Sequence, residues 1–349
     1  MKKFLTLATL AFCASGFGKE CNSTPSPCPC PTIKNPICLY ELYDNQGCNL
    51  GLRADALYMN YTSPVLVFAS EEFTVLPVRH SHLLGVPGKM SVGCDVALSY
   101  TMPNQPGYSF EASWYHIVAK FSRRDTASDV LLSHSVSLTT AAPGTVAVRA
   151  NMTINFFDLL IQKKFGFGDW VSVMPAVGLL GGYMNSVNRA QTQASTATSF
   201  GNSTTTAELD QFIKFEGIGL KLGGKSSFKI GAGFKLMAEL FYSVMYGFSK
   251  TRLLYSSNGN FVFDGVPTGL SGANLYYDQH HGRALFDSLL GLMWEWRSCN
   301  ESMFFDIHAG LKFQSFSDGW MEFEAEFNND VSNLPLYGQG LQAGATFKF

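Results

Sequence analysis

The chain has 349 residues, of which 46% are hydrophobic, 14% aromatic and only 15% charged, against about 25% charged in an average globular protein. That composition excludes disorder for the bulk of the chain, and beyond residue 20 nothing approaches the ~18 uninterrupted apolar residues of a spanning helix. A net charge of -2 gives no field for nucleic acid or for an acidic substrate.

Lys2 and Lys3 precede an apolar run from Phe4 to Cys13, and small residues follow at Ala14, Ser15, Gly16 and Gly18. This is the pattern of a secretory signal peptide over residues 1–18, with cleavage after Gly16 or Gly18. Phe12 is too bulky for Cys13 to serve as a lipid-anchor cysteine. Residues 19–47 form a Pro- and Cys-rich leader. Once Cys13 is removed, Cys21, Cys28, Cys30, Cys38, Cys48, Cys94 and Cys299 remain. In an oxidising compartment these are disulfide candidates, and their odd number points to a free thiol or a bond to another envelope protein. Cys28-Pro29-Cys30 lacks the paired spacing of a zinc site, so no metal is expected.

From residue 48 onward apolar and polar residues alternate, the period of a strand with two unlike faces. Leu52, Ala54, Ala56 and Tyr58 oppose Arg53 and Asp55; Val92, Cys94, Val96 and Leu98 oppose Gly93, Asp95 and Ala97; Phe110, Ala112 and Trp114 oppose Glu111 and Ser113. Over 146–156, Val148, Ala150, Met152 and Ile154 oppose Arg149, Asn151 and Thr153. Later, Phe234, Leu236, Leu240, Tyr242 and Val244 oppose Lys235, Glu239 and Ser243, and Leu290, Leu292, Trp294 and Trp296 oppose Arg283, Asp287, Glu295 and Arg297. Phe305, Ile307, Leu311 and Phe313 oppose Asp306, His308 and Lys312.

These runs are longer than the ~5–6 residues of a soluble strand and match the ~9–11 needed to cross a bilayer with tilt. Their apolar faces end in aromatics, as membrane girdles do. A sheet in lipid must close, because an open edge leaves backbone groups unpaired. The expectation is an all-β, closed antiparallel transmembrane barrel over 48–349, with about twelve strands in a range of 10–16. Weaker strand candidates fall near 65–79, 130–140, 253–264 and 320–327. Polar stretches at 122–145, 187–209 and 256–282 are expected as extracellular loops, with 190–207 the most mobile tip. The chain ends on Leu341, Phe347 and Phe349 alternating with Gln342, Thr346 and Lys348. A terminal phenylalanine on such a strand resembles the signal read by the barrel-assembly machinery of Gram-negative outer membranes.

Several segments resemble the pore-forming major outer membrane protein family found in Legionella and chlamydia-like bacteria. They are Leu52 to Tyr58, Asn155 to Leu159, Trp170 to Leu179 with its Pro-x-x-Gly-Leu step, Phe215 to Gly223, Phe234 to Phe248, Gly291 to Glu295 and Asp306 to Phe313. The Cys-rich leader departs from the family, and so does Leu180, which stands where relatives often place Arg. The resemblance implies a porin, an oligomeric barrel passing ions and small solutes, with no catalytic residues.

Motifs of other chemistries fall short. Gly217-Ile218-Gly219 lacks the third glycine and the following helix of a nucleotide loop. No Gly-x-Ser-x-Gly elbow occurs, and His280-His281 sits in a polar stretch without a ligand set. No enzyme activity and no cofactor is expected. The constellation left is the charged face: Arg53, Asp55, Asp95, Glu111, Arg149, Lys235, Glu239, Arg283, Asp287, Glu295, Arg297, Asp306 and Lys312. About twelve strands leave room for water inside, so these charges are expected to line a pore and tune which ions enter, rather than to neutralise each other in pairs across a plugged lumen. The near balance of signs predicts mild selectivity. Two rivals to a porin are an adhesin or structural barrel with a closed lumen, and an outer-membrane hydrolase. Expected partners are outer-membrane lipid, the assembly machinery, further copies of the chain and disulfide-linked envelope proteins, and not nucleic acid.

Overall fold

The computed structural model describes residues 39–41, 50–62, 67–75, 78–85, 88–103, 105, 107–127, 130–132, 136–138, 144–168, 170–198, 201–257, 261–263, 266–268, 272–297, 303–323 and 331–349. The segment expected as a signal peptide and the cysteines Cys21, Cys28, Cys30, Cys38, Cys48 and Cys299 lie outside the described residues.

Ten long strands form the wall. They are β1 (Leu50–Thr62), β2 (Gly88–Thr101), β3 (Tyr108–Ala127), β4 (Gly144–Lys163) and β5 (Val171–Thr198), then β6 (Gly201–Gly231), β7 (Phe234–Ser257), β8 (Gly272–Arg297), β9 (Phe304–Phe323) and β10 (Val331–Lys348). Each pairs antiparallel with its chain neighbours, and β10 returns to β1 to close the sheet. At the seam the Leu50 N–H donates to the Phe349 carbonyl at 3.2 Å, and the Phe349 N–H to that of Leu50 at 2.9 Å. Closure satisfies the backbone that lipid cannot.

The wall has ten strands where about twelve were expected, because some of the weaker candidates belong elsewhere. Val67–Val75, Val78–Gly85, Val130–Leu132, Val136–Leu138, Phe261–Phe263 and Val266–Thr268 join in a separate six-stranded sheet. These segments come from the connections after β1, β3 and β7, all leaving the same end of the wall, and pair with one another rather than with the wall strands. Trp320 to Phe323 continue β9. The loop expected at 187–209 is instead a hairpin, with β5 and β6 paired without interruption from Val171↔Phe228 to Thr198↔Gly201. Threonine suits a pleated sheet, and a strand standing above the membrane needs no apolar outer face, so this segment carried no periodic signal. His280 and His281 likewise lie within β8 rather than in a loop.

The other end has short turns. Between β6 and β7, Ala232 takes φ 51° between Gly231 and Gly233 at 136° and 82°; the flanking glycines supply the left-handed backbone that this tight reversal needs. From the leader, Leu39–Glu41 pairs with Phe165–Phe167 in the turn between β4 and β5. Short turns beside the termini and long connections opposite them are the arrangement of an outer-membrane barrel, with the long end outside the cell.

The wall inverts along its height. Near the short turns the outward positions are apolar, as with Leu52, Leu98, Phe110, Leu159, Val177, Leu220, Leu236, Leu292 and Leu341. This belt ends in exposed aromatics, among them Tyr58, Trp114, Phe157, Tyr246, Phe313 and Tyr337. Ring contacts run along it: Trp114 stacks on Phe157 at 6.5 Å, Phe313 on Tyr337 at 6.4 Å and Tyr246 on His280 at 6.3 Å. At the short-turn end a second girdle includes Trp170 against Phe228 at 4.9 Å and Phe347 beside Phe349 at 5.7 Å. Beyond the upper girdle many outward positions turn polar (Lys120, Asn151, Asn185, Lys214, Ser315), while the inward ones turn apolar on β1, β3 and β4 and stay mixed on β5–β7, where Ser186, Asn188, Gln211, Ser249 and Thr251 are buried. The 20–31 residues of β3 to β9 therefore serve two solvents: a membrane-crossing lower half and an upper half built like a soluble barrel.

Candidate functional site

The lower interior is a network of paired charges. Arg53 on β1 sits at its centre, with Nε 3.3 Å from Asp55 Oδ2 and Nη2 3.3 Å from Asp95 Oδ2 and 3.6 Å from Glu111 Oε1. Lys225 Nζ donates to both oxygens of Glu111 at 3.0 and 2.8 Å, and Gln162 Nε2 adds a third donor at 3.2 Å. Lys221 pairs with Asp158, which also accepts from Ser113 Oγ at 3.3 Å. Lys312 pairs with Asp287 at 3.1 Å, and Lys235 with Glu295 at 2.7 Å. Next to the seam, His308 bridges Asp306 and Asp55 through its two ring nitrogens, 2.9 Å each, while Gln342 Nε2 donates to Asp55 at 2.6 Å. Charges taken out of bulk water persist when paired and hydrogen-bonded, and these pairs range from neighbours within one strand (Arg53–Asp55) through adjacent strands (Lys312–Asp287) to strands three apart in the ring (Lys225–Glu111). The space among Arg53, Glu111, Asp158, Lys221, Lys225 and Lys312 is about 30 Å³, room for one or two waters.

Above this network long side chains fill the interior, with buried Ser186, Asn188, Gln211, Ser249 and Thr251 among them on the β5–β7 side. Tyr61 and Tyr115 place their hydroxyls 2.7 Å apart, each 2.8 Å from Gln314 Oε1. Phe156 on β4 stacks on Phe316 on β9 with ring centres 6.1 Å apart, and Tyr115 stacks on Phe156 at 6.3 Å. In the ten-strand ring β4 and β9 lie five places apart, on opposite walls. With strands ~4.8 Å apart and tilted by ~40°, such a ring is on the order of 20 Å across between backbones. Only long side chains meet in the middle, which accounts for the buried Met59, Phe121, Met152, Met184, Phe215 and Met245. Arg283 lies among them, its guanidinium 4.2 Å over the Phe215 ring and Nε 3.0 Å from His281 Nε2.

Arg53, Asp55, Asp95, Glu111, Lys235, Glu239, Arg283, Asp287, Glu295, Asp306 and Lys312 occupy inward positions, as the alternation predicted. Arg149 does not. On β4 the inward residues are Ala150, Met152, Ile154 and Phe156, so Arg149 is exposed on the outer surface. The segment stands above the girdle, where apolar residues fill the barrel and polar ones face water, and assuming a lipid-facing apolar side there inverts the strand. The side chain of Arg297 lies outside the described residues. Cys94 stands on the outward face between Val92 and Val96 and is a free thiol among the described residues. Leu341, Phe347 and Phe349 are exposed on the lipid side of β10 and the chain end.

The sequence reading missed Asp158, Lys221, Lys225 and the closing layer. Ile218, Leu220 and Leu222 alternate outward, a signal from which Lys221 and Lys225 follow as inward. The Phe156–Phe316 contact joins residues 160 positions apart and has no local signature.

Among known proteins, the chain resembles solved outer-membrane barrels at low identity. The outer membrane protease OmpT of Escherichia coli is 11% identical, with 88% of this chain and 99% of that one covered at a TM-score of 0.37. A TodX deltaS2S3 mutant monoaromatic hydrocarbon channel is 8% identical, covering 87% and 91% at 0.26, and the Pseudomonas putida toluene transporter TodX 9%, covering 87% and 89% at 0.21. No curated protein sequence matches the chain. A family model described as the Legionella pneumophila major outer membrane protein precursor matches residues 46–348.

Proposed function

The chain belongs to the Legionella major outer membrane protein family, and from its interior we propose that it is an outer-membrane barrel with a closed lumen, acting as a structural and surface-presenting protein of the envelope. The stacking of Phe156 on Phe316 from opposite walls supports this reading above all, because a solute path would run through that contact. The paired charges below it support it as well, since Arg53, Lys221, Lys225, Lys235 and Lys312 each already face a carboxylate. No catalytic set is assigned.

A second reading, a gated porin, is favoured by the charged, partly hydrated lower interior: removal of the upper layer alone would leave a polar passage. Single-channel conductance of residues 19–349 in a planar bilayer separates the two. The closed reading expects no steps from the wild type, and discrete steps scaling with salt from F156A/F316A. Wild-type steps equal to those of the double variant would overturn it in favour of the porin.

We further propose that the exposed Leu341, Phe347 and Phe349 present the chain to the assembly machinery, and that leader cysteines tie it to other copies or to envelope neighbours. On gels of whole envelopes, species above the monomer are expected without reductant and are expected to disappear with it. Their persistence, or their absence in both lanes, would remove the cross-link.

A further inference from the structure

Above the girdle, the outer surface divides into two halves of different charge. On the β5–β8 side cations meet anions. Arg189 is held bidentately by Asp210 at 2.7 and 3.0 Å, Lys214 pairs with Glu216, and Lys250 stands directly opposite Asp278. On the β2–β4 side they do not. Lys89, Lys120, Arg124 and Arg149 are all exposed, and among the described residues none of them makes an ion pair.

The register concentrates these charges. Lys89 on β2 lies directly opposite Lys120 on β3 because a β-bulge between Lys89 and Gly93 shifts the pairing; a bulge re-aims the side chains beyond it. Arg149 on β4 lies directly opposite Arg189 on β5. Arg149 also stands opposite Ser122 on β3, so Lys120 and Arg124 flank it as diagonal neighbours at about 7–8 Å. Like charges directly opposite each other weaken a sheet. Arg189 has its acid in Asp210, but Lys89, Lys120, Arg124 and Arg149 have none among the described residues, and this cluster marks a surface that gains from an external anion.

The height of the patch selects the anion. Lys120 is six residues beyond Trp114 on β3 and Arg149 eight beyond Phe157 on β4. At ~3.3 Å per residue and a tilt of ~40° they stand about 15–20 Å above the girdle, outside the acyl chains and level with the saccharide of an outer-leaflet glycolipid. The patch faces sideways over the same strands that carry the lipid belt. A soluble polyanion would be met equally well at the loop end, whereas a membrane glycolipid can reach this position only from the side. We propose that the outer surface of β2–β4, with Arg149 at its centre, binds the phosphate- and carboxylate-bearing saccharide of an outer-leaflet glycolipid such as lipopolysaccharide.

The test uses the folded protein in detergent, its fold checked by heat-modifiable migration, titrated with purified rough-type lipopolysaccharide. K120Q/R124Q/R149Q is expected to weaken binding about tenfold, the scale of three exposed ion pairs. K214Q/K250Q/R252Q, which removes equal charge from the balanced side, is expected to change it less than twofold. Lipopolysaccharide stripped of phosphate should bind wild type about as weakly as intact material binds the first variant. Equal losses in the two variants, or undiminished binding after phosphate removal, would overturn the proposal. Heparin fragments binding wild type more tightly than lipopolysaccharide would also overturn it and assign the patch to a soluble polyanion.

Discussion

Glu111→Ala is expected to lower the unfolding free energy of the barrel by about 3–5 kcal/mol, the cost of leaving buried charge without its partner. Glu111 accepts from Lys225, Gln162 and Arg53, and its side chain is 11% exposed. Alanine takes from the Lys225 ammonium the carboxylate it faces and takes one of three carboxylates from Arg53. Urea titration of the protein in lipid, followed by tryptophan fluorescence, measures the loss. E111L/K225M removes both charges and fills the space, and is expected to recover most of the stability, because apolar replacement of a buried pair is often neutral. Glu295→Ala, which breaks the pair between Lys235 and Glu295 at 19% and 16% exposure, sits nearer water and is expected to cost about 1 kcal/mol or less. If Glu111→Ala costs no more than Glu295→Ala, the central network is hydrated and the interior is wetter than its packing indicates.

The contrast between these two positions shows what the sequence carried and what it did not. Alternation placed the charged face inward wherever the other face meets lipid, because hydrocarbon demands an uninterrupted apolar row; Arg53, Glu111, Lys235 and Glu295 were legible for that reason. The same rule misled at Arg149, because a strand above the membrane exchanges its solvents: water lies outside and packed side chains inside. The long hairpin of β5 and β6 was hidden for a related cause, since a polar two-sided strand has no period to read. Which charges pair was not legible at all. Lys225 finds Glu111 from a position 114 residues away, a distance set by barrel curvature and side-chain length rather than by local pattern. The closing layer escaped in the same way: Phe156 and Phe316 look like ordinary strand residues until the ring places β4 opposite β9.

Asp55→Ala is expected to be the most damaging change at the seam, lowering stability by about 3–5 kcal/mol and slowing barrel closure. Asp55 is fully buried, with a side-chain exposure of 0%, and links three strands: Arg53 on β1, His308 on β9 and Gln342 on β10. The seam between β1 and β10 is the last pairing a closing sheet can make, since it joins residues nearly 300 positions apart. Backbone pairing there runs from Tyr337↔Thr62 to Lys348↔Gly51, but ladder bonds alone do not choose a register. Asp55 lies directly opposite Gly344, and the missing side chain of that glycine leaves the carboxylate free to reach His308 and Gln342. A slip by one residue would put Asp55 toward lipid and forfeit His308 and Gln342, its partners on β9 and β10, so this buried acid contributes register as well as stability. Asp55→Asn keeps an acceptor for Gln342 and is expected to lose about half as much. Folding rates in lipid vesicles, read by heat-modifiable migration, should fall severalfold for Asp55→Ala and stay within twofold for Gln342→Ala, which removes one donor but leaves the carboxylate with Arg53 and His308. Equal rates for Asp55→Ala and wild type would assign register at the seam to the backbone and to the outward apolar row instead.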